Sequence, residues 1–177
     1  MKWRPFHHGR DQYDLSHLHP FALELENPAK GDRPAQPFRF DVRFSLHCFT
    51  RSIAAGDDPK LEYKDNRETR TFCFDRYRLS FQLPGIVRHI HEKRCLHTGK
   101  GNFFIVEVTD DAGHCVEYEI YFDISKGKGT SGAMELFIQS AYVRDVAGRA
   151  YRRSPKKIGF FVIAHNRRVG KPIKTPR

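Results

Sequence analysis

The sequence predicts an α+β fold: a four-stranded antiparallel meander plus an extra N-terminal strand, packed on one main helix. Three features predict it. Residues 38–49, FRFDVRFSLHCF, alternate with Phe38, Phe40, Val42, Phe44, Leu46 and Cys48 on one face and Arg39, Asp41, Arg43, Ser45 and His47 on the other. That is the period of a half-buried strand. Leu79, Leu83, Ile86, Val87 and Ile90 then recur at helical spacing. After them come four apolar runs whose connections are too short for the crossovers that parallel strands need.

Taken in order, residues 1–37 are rich in His, Pro and Asp, and Pro20, Pro28, Pro34 and Pro37 argue against a long helix. They read as an irregular arm with one short strand near Phe21 to Leu25. Residues 52–69 read as a solvated loop, and the helix is expected to have Ser80 as N-cap with Pro84 in its first turn. The meander strands are Phe103 to Thr109, Val116 to Ile124, Met134 to Val143 and Ile158 to His165. A basic connection at 126–132 and a long basic loop at 144–157 separate the later strands. In Val116 to Ile124 the polar face is Glu117, Glu119 and Asp123. The organisation is one domain over 1–177, with the arm at 1–37, the α+β core at 38–165 and a basic tail at 166–177.

Composition narrows the partners. Lys and Arg number 31 against 21 Asp and Glu, a formal charge of +10, which favours polyanions, with nucleic acid ahead of a membrane or an acidic protein. A merely solubilising surface is the bland alternative. Cys48, Cys73, Cys95 and Cys115 have no CxxC spacing, so neither a zinc site nor a disulfide framework is expected. His17-Leu18-His19, with His7 and His8 nearby, has no carboxylate or cysteine at supporting spacing, so no metal site is assigned there. No Walker A, GxGxxG, HExxH or GxSxG pattern occurs, and no cofactor is expected. The N-terminus lacks an apolar signal core and no run is long enough to span a membrane. The expectation is a cytoplasmic protein of bacterial type with reduced thiols.

A helix followed by a four-stranded antiparallel meander in a small basic chain resembles the superfamily of barnase, EndoU, colicin-type and RelE-type ribonucleases. The strand ELFIQSAYVRD, around Ser140 and Tyr142, is similar to the hydrophobic–Ser/Thr–x–Tyr strand that many members carry near the active site. The resemblance spans roughly residues 80–165. It implies a toxin-like endoribonuclease that cleaves RNA without metal, and an antitoxin protein as partner.

Such cleavage needs a base, an acid and cations on the phosphate. The stretch Arg94 to Asn102, RCLHTGKGN, supplies His97, Thr98, Lys100 and Asn102 at a strand entrance, with Lys100 between two glycines. The candidate catalytic residues are His97, His47, Tyr142 and Ser140. His47 reads equally as a solvated sheet-face residue, and Ser140 and Tyr142 as ordinary strand residues. In an up–down–up sheet, the start of the first strand and the end of the third lie at opposite ends, which separates His97 from Arg144. Candidate nucleic-acid contacts are Lys100, Asn102, Arg43, Arg76, Arg144, Arg152, Arg153, Lys156, Lys157, Arg167 and Arg168. RNA is favoured over DNA. The alternatives are a non-catalytic nucleic-acid-binding or regulatory module using the 144–177 surface, or an accessory factor for an acidic protein.

Overall fold

The computed structural model describes residues 2–93, 95–97, 102–109, 112–127, 132–143 and 156–173. Strand outweighs helix, and the class is α+β. A hairpin of β1 (Phe6–His8) and β2 (Asp11–Tyr13) is followed by β3 (Phe21–Asn27) and β4 (Gln36–Phe44). Next come β5 (Thr50–Arg51), β6 (Glu62–Lys64) and β7 (Thr69–Phe72), which form a small antiparallel sheet in the order β5-β7-β6. Helices α1 (Phe74–Ser80) and α2 (Leu83–Arg88) lead to β8 (Cys95–His97), β9 (Asn102–Thr109), β10 (Cys115–Lys126) and β11 (Met134–Val143). The short β12 (Lys156–Ile158) and helix α3 (Phe160–Arg168) close the described chain.

The principal sheet has seven strands in the order β12-β8-β9-β10-β11-β4-β3. Its β8 to β11 part is an antiparallel meander. β4 joins it in parallel, with Met134 opposite Phe40 and Ile138 opposite Phe44. The alternation of β4 works as a strand up to Phe44: Phe38, Phe40, Val42 and Phe44 are buried and Arg39, Asp41 and Arg43 exposed. Beyond it the strand reading fails. Ser45 caps a 3-10 turn over Leu46–Cys48 by accepting the His47 N–H, which moves His47 off the sheet face.

Four further expectations are corrected. The run at 158–165 is not a fourth meander strand but the helix α3, which buries Phe160, Ile163 and Ala164, the i, i+3, i+4 set of one helical face. A short apolar run is compatible with either state. Tertiary packing decides here, because Phe160 lies 5.5 Å from Phe40 and 6.1 Å from Phe122, ring to ring, over the sheet. Secondly, residues 1–37 are not an irregular arm. Trp3, Phe6, Leu15 and Leu18 are buried, Phe6 stacks on Phe72 at 4.1 Å, and β3 pairs with β4 from Phe21 to Asn27. Thirdly, the expected main helix is two short ones. Ser80 ends α1 rather than capping α2, while Pro84 does occupy the first turn of α2. Fourthly, residues 52–69 contain β6, whose Tyr63 is buried against Phe49, ring centroids 5.0 Å apart. All four cysteines are free, with burial pushing the Cys48 and Cys95 thiols up to about 12. Among the described residues no helix is long and apolar enough to cross a membrane.

His17 fastens the N-terminal segment to α1. Its Nε2 lies 2.7 Å from the Ser80 hydroxyl, and its ring stacks on Phe81 at 4.0 Å. Ser80 in turn donates to the Tyr77 carbonyl, which leaves its oxygen to accept from the imidazole. Burial, outweighing the nearby Asp14 carboxylate, holds the His17 pKa below its ordinary value.

Two outcomes are expected. Phe160→Ala should lower the unfolding free energy by about 3–5 kcal/mol in urea titration, the usual cost of an emptied aromatic site. As pH falls below about 6.5, the unfolded chain takes up a proton at residue 17 that the folded chain refuses, so stability should fall. The effect is absent above that pH and complete below the folded-state value. His17→Gln should flatten this part of the stability–pH curve.

Candidate functional site

Two places gather the sequence-predicted residues. The first is the end of β11. Because β4 leaves the sheet at Phe44, residues 140–143 of β11 have no strand partner on that side. The departing backbone is held there by the Ser45 N–H, which donates to the Ile138 carbonyl at 2.9 Å. The turn at 46–48 and α1 fill the gap, and Arg76 reaches across it. Its Nη1 donates to the His47 carbonyl at 3.1 Å and the Thr50 carbonyl at 2.7 Å, and its guanidinium lies 4.9 Å over the Tyr142 ring. Arg76, Tyr142 and the backbone of His47 are thus brought together.

The same geometry limits what they can do. Tyr142 also stacks on Tyr121, ring centroids 5.8 Å apart and 10° between planes, so the ring is engaged by both Arg76 and Tyr121. The Tyr121 hydroxyl donates to the Glu119 carboxylate at 2.7 Å, and Glu119 is fully buried. Burial, the Glu119 carboxylate and Tyr142 together hold the Tyr121 phenol well above its ordinary pKa, so it stays a donor. Ser140, half-buried, pairs with Tyr121 across β10 and shares a strand face with Tyr142. The sequence reading missed Glu119 and Tyr121. The signal was present, since a tyrosine among Glu117, Glu119 and Asp123 marks a polar face that is partly covered.

The His47 imidazole is engaged elsewhere: its Nε2 lies 2.7 Å from Glu68, which also meets Arg70 at 3.5 Å. His97 belongs to a different region. It pairs with Asn102 of β9 and Lys156 of β12, so three predicted residues share one row at the opposite side of the sheet. β8 and β11 are separated by two strands, about 14 Å at normal strand spacing. His97 and Tyr142 therefore do not form one site. Lys100, Arg144, Arg152 and Arg153 lie outside the described residues.

The second place is the surface of β12 and α3. Lys157, Ile158, Gly159, Val162, Asn166, Lys171 and Pro172 line an open groove of about 810 Å³. Lys157 and Lys171 are exposed at its rim. Arg167 and Arg168 turn away from it. Arg167 pairs with Asp123 at 3.2 Å, and Arg168 donates to the Pro37 carbonyl and lies 4.3 Å over the Phe38 ring. Arg43, expected at a nucleic-acid surface, faces Glu135 of the neighbouring β11 at 3.8 Å. The charge distribution singles this region out. Residues 146–177 contain ten Lys and Arg and no Asp or Glu, whereas residues 1–145 carry 21 of each sign. The whole net charge of the protein lies in its last 32 residues.

The protein is therefore of a defined class: an α+β chain with a mixed seven-stranded sheet, an arginine-lined cleft at one strand end and a basic helix packed over the sheet. It belongs to the YjaZ family, whose model matches residues 5–168. Protein YjaZ of Escherichia coli (strain K12) is 31% identical over 180 residues, covering 99% of this chain and 96% of that protein. No solved structure matches. The family match takes in the N-terminal segment from residue 5 onward, including Phe6, Leu15 and Leu18 of the core. Neither match bears on the ribonuclease resemblance of residues 80–165.

The contacts of Arg76 and His47 predict different costs. Arg76→Met removes the donor from two backbone carbonyls and should destabilise by about 1–3 kcal/mol. His47→Ala breaks a half-exposed pair and should cost less than about 1 kcal/mol in the same urea titration.

Proposed function

We propose that this chain is a non-catalytic, cytosolic RNA-binding module whose contact surface is built on β12, α3 and the basic stretches beside them. The carrying observation is the separation of charge: an acid-free segment with ten cations attached to a body whose own charges cancel. Such a surface concentrates polyanions and releases their counterions on binding. The groove at Lys157, Asn166 and Lys171 gives a strand a place to lie, with lysines for phosphates and an amide for a sugar or base edge. RNA is favoured over a duplex because the groove runs along a single short helix. Favouring binding over cleavage, the His47 ring is committed to Glu68, and the Tyr142 ring is engaged by Arg76 and Tyr121.

The test is fluorescence anisotropy of a labelled single-stranded RNA with the full chain. Affinity should fall steeply between 50 and 200 mM salt, with a log–log slope of about −0.7 for each phosphate neutralised. Lys157→Glu with Lys171→Glu should weaken binding at least about tenfold and flatten that slope. Binding that ignores salt, or is unchanged in the double variant, overturns the proposal. Cleavage of total RNA in EDTA, abolished by His97→Ala, would restore the endoribonuclease reading.

A further inference from the structure

The cleft at the end of β11 is separate from the groove on α3 and has a different chemistry. Its walls are Leu79 of α1, Val116 of β10, Tyr142 and Val143 of β11 and Cys73, and it encloses about 560 Å³. That is the size of a small-molecule site. Arg51 and Arg78 stand at its rim, each paired to a carboxylate, Arg51 with Asp57 and Arg78 with Asp75.

Arg76 differs from both. It lines the cleft, it is half-buried, and among the described residues no carboxylate pairs with it. Its two carbonyl contacts occupy Nη1 alone and neutralise no charge. A guanidinium has five N–H donors in a rigid fork, so Nε and Nη2 keep three. Among the described residues these three meet no acceptor. Desolvation weakens its hold on its proton, as expected of a cation withdrawn from water without a counter-charge. Withdrawing a charge from water is costly unless something pairs with it. The protein spends structure to hold it there, with two carbonyls fixing the fork and the Tyr142 ring supporting its face.

We propose that this cleft binds a small organic phosphate, the phosphate taken by the fork of Arg76 and the organic body lying against Leu79, Val116 and Val143. A phosphate supplies the oxygens a three-donor fork can satisfy, and a planar fork recognises them in pairs. The apolar walls favour a ligand with a hydrocarbon or aromatic body over the bare ion. The Tyr142 ring is already engaged by Arg76 and Tyr121.

The test is a titration of the isotopically labelled full chain, followed by NMR, with three probes: phenyl phosphate, inorganic phosphate and benzoate. Phenyl phosphate should bind saturably, at least about tenfold tighter than either of the others, a difference of ~1.4 kcal/mol. The shifted signals should be those of Val116, Tyr142, Val143 and the Arg76 side chain. Arg76→Gln should abolish binding. Because Arg76 also ties down the 47–50 turn, Val143→Trp is the second variant. It keeps Arg76 and fills the apolar side, so it should block phenyl phosphate and spare inorganic phosphate. The proposal is overturned if none of the probes saturates, if the shifts map elsewhere, if folded Arg76→Gln binds as well as the parent, or if Val143→Trp leaves phenyl phosphate unaffected. Neither variant alters the α3 surface, so RNA binding should persist in both, and the two proposals fail separately.

Discussion

The parallel pairing of β4 with β11 is the constraint from which the rest of the structure follows. It joins segments about ninety residues apart in sequence, setting Phe40, Val42 and Phe44 beside Met134, Leu136 and Ile138 in one register. All six are buried. A shift of one residue would turn β4 over and send its three arginine and aspartate side chains into the core. Through β4 the N-terminal strand β3 is attached to the meander, and through the turn after Phe44 the small β5-β7-β6 sheet and α1 are positioned. Where the pairing stops, at Ile138, β11 runs on beside β10 and its register against that strand shifts. The cleft, the reach of Arg76 and the stacking of Tyr142 on Tyr121 are all consequences of that one strand ending early.

The opposite edge of the sheet meets a different physical demand. β12 is an edge strand of three residues, and exposed strand edges invite pairing with other chains. Shortness and a flanking charge such as the exposed Lys157 both discourage it. Lys156 and Lys157 lie within the acid-free segment, which α3 carries over the core face. One set of residues therefore protects an edge and concentrates the net charge of the protein. The cations nearest the body, Arg167 and Arg168, are used to attach the helix through Asp123, Pro37 and Phe38.

Much of the fold was legible because burial on one side of a sheet writes itself as alternation. β4, β10 and β11 announced themselves this way, and Pro84 marked a helix start because its missing N–H is harmless there. The segment 158–165 misled because its six hydrophobic residues, rich in aromatic and β-branched types, suit a strand locally. Only the need to cover Phe40 and Phe122 makes it a helix. The N-terminal segment misled in the other direction. Its prolines and histidines suggest loop, and its buried residues, Trp3, Phe6, Leu15 and Leu18, are too scattered to show a period. Of the candidate site residues, Arg76 and Tyr142 were legible by type, but their meeting was not, since it depends on a strand pairing across ninety residues.

The sequence by itself determined the class of the fold, the faces of its long strands, its free cysteines and the sign of its net charge, because each is a local or summed property of the chain. The tertiary structure decided which residues meet. It parted His97 from Tyr142, bound the His47 ring to Glu68, buried Glu119 on a face that reads as polar, and left Arg76 half out of water with three donors to fill. Those outcomes depend on contacts between distant segments, and no local pattern encodes where a strand will lose its neighbour.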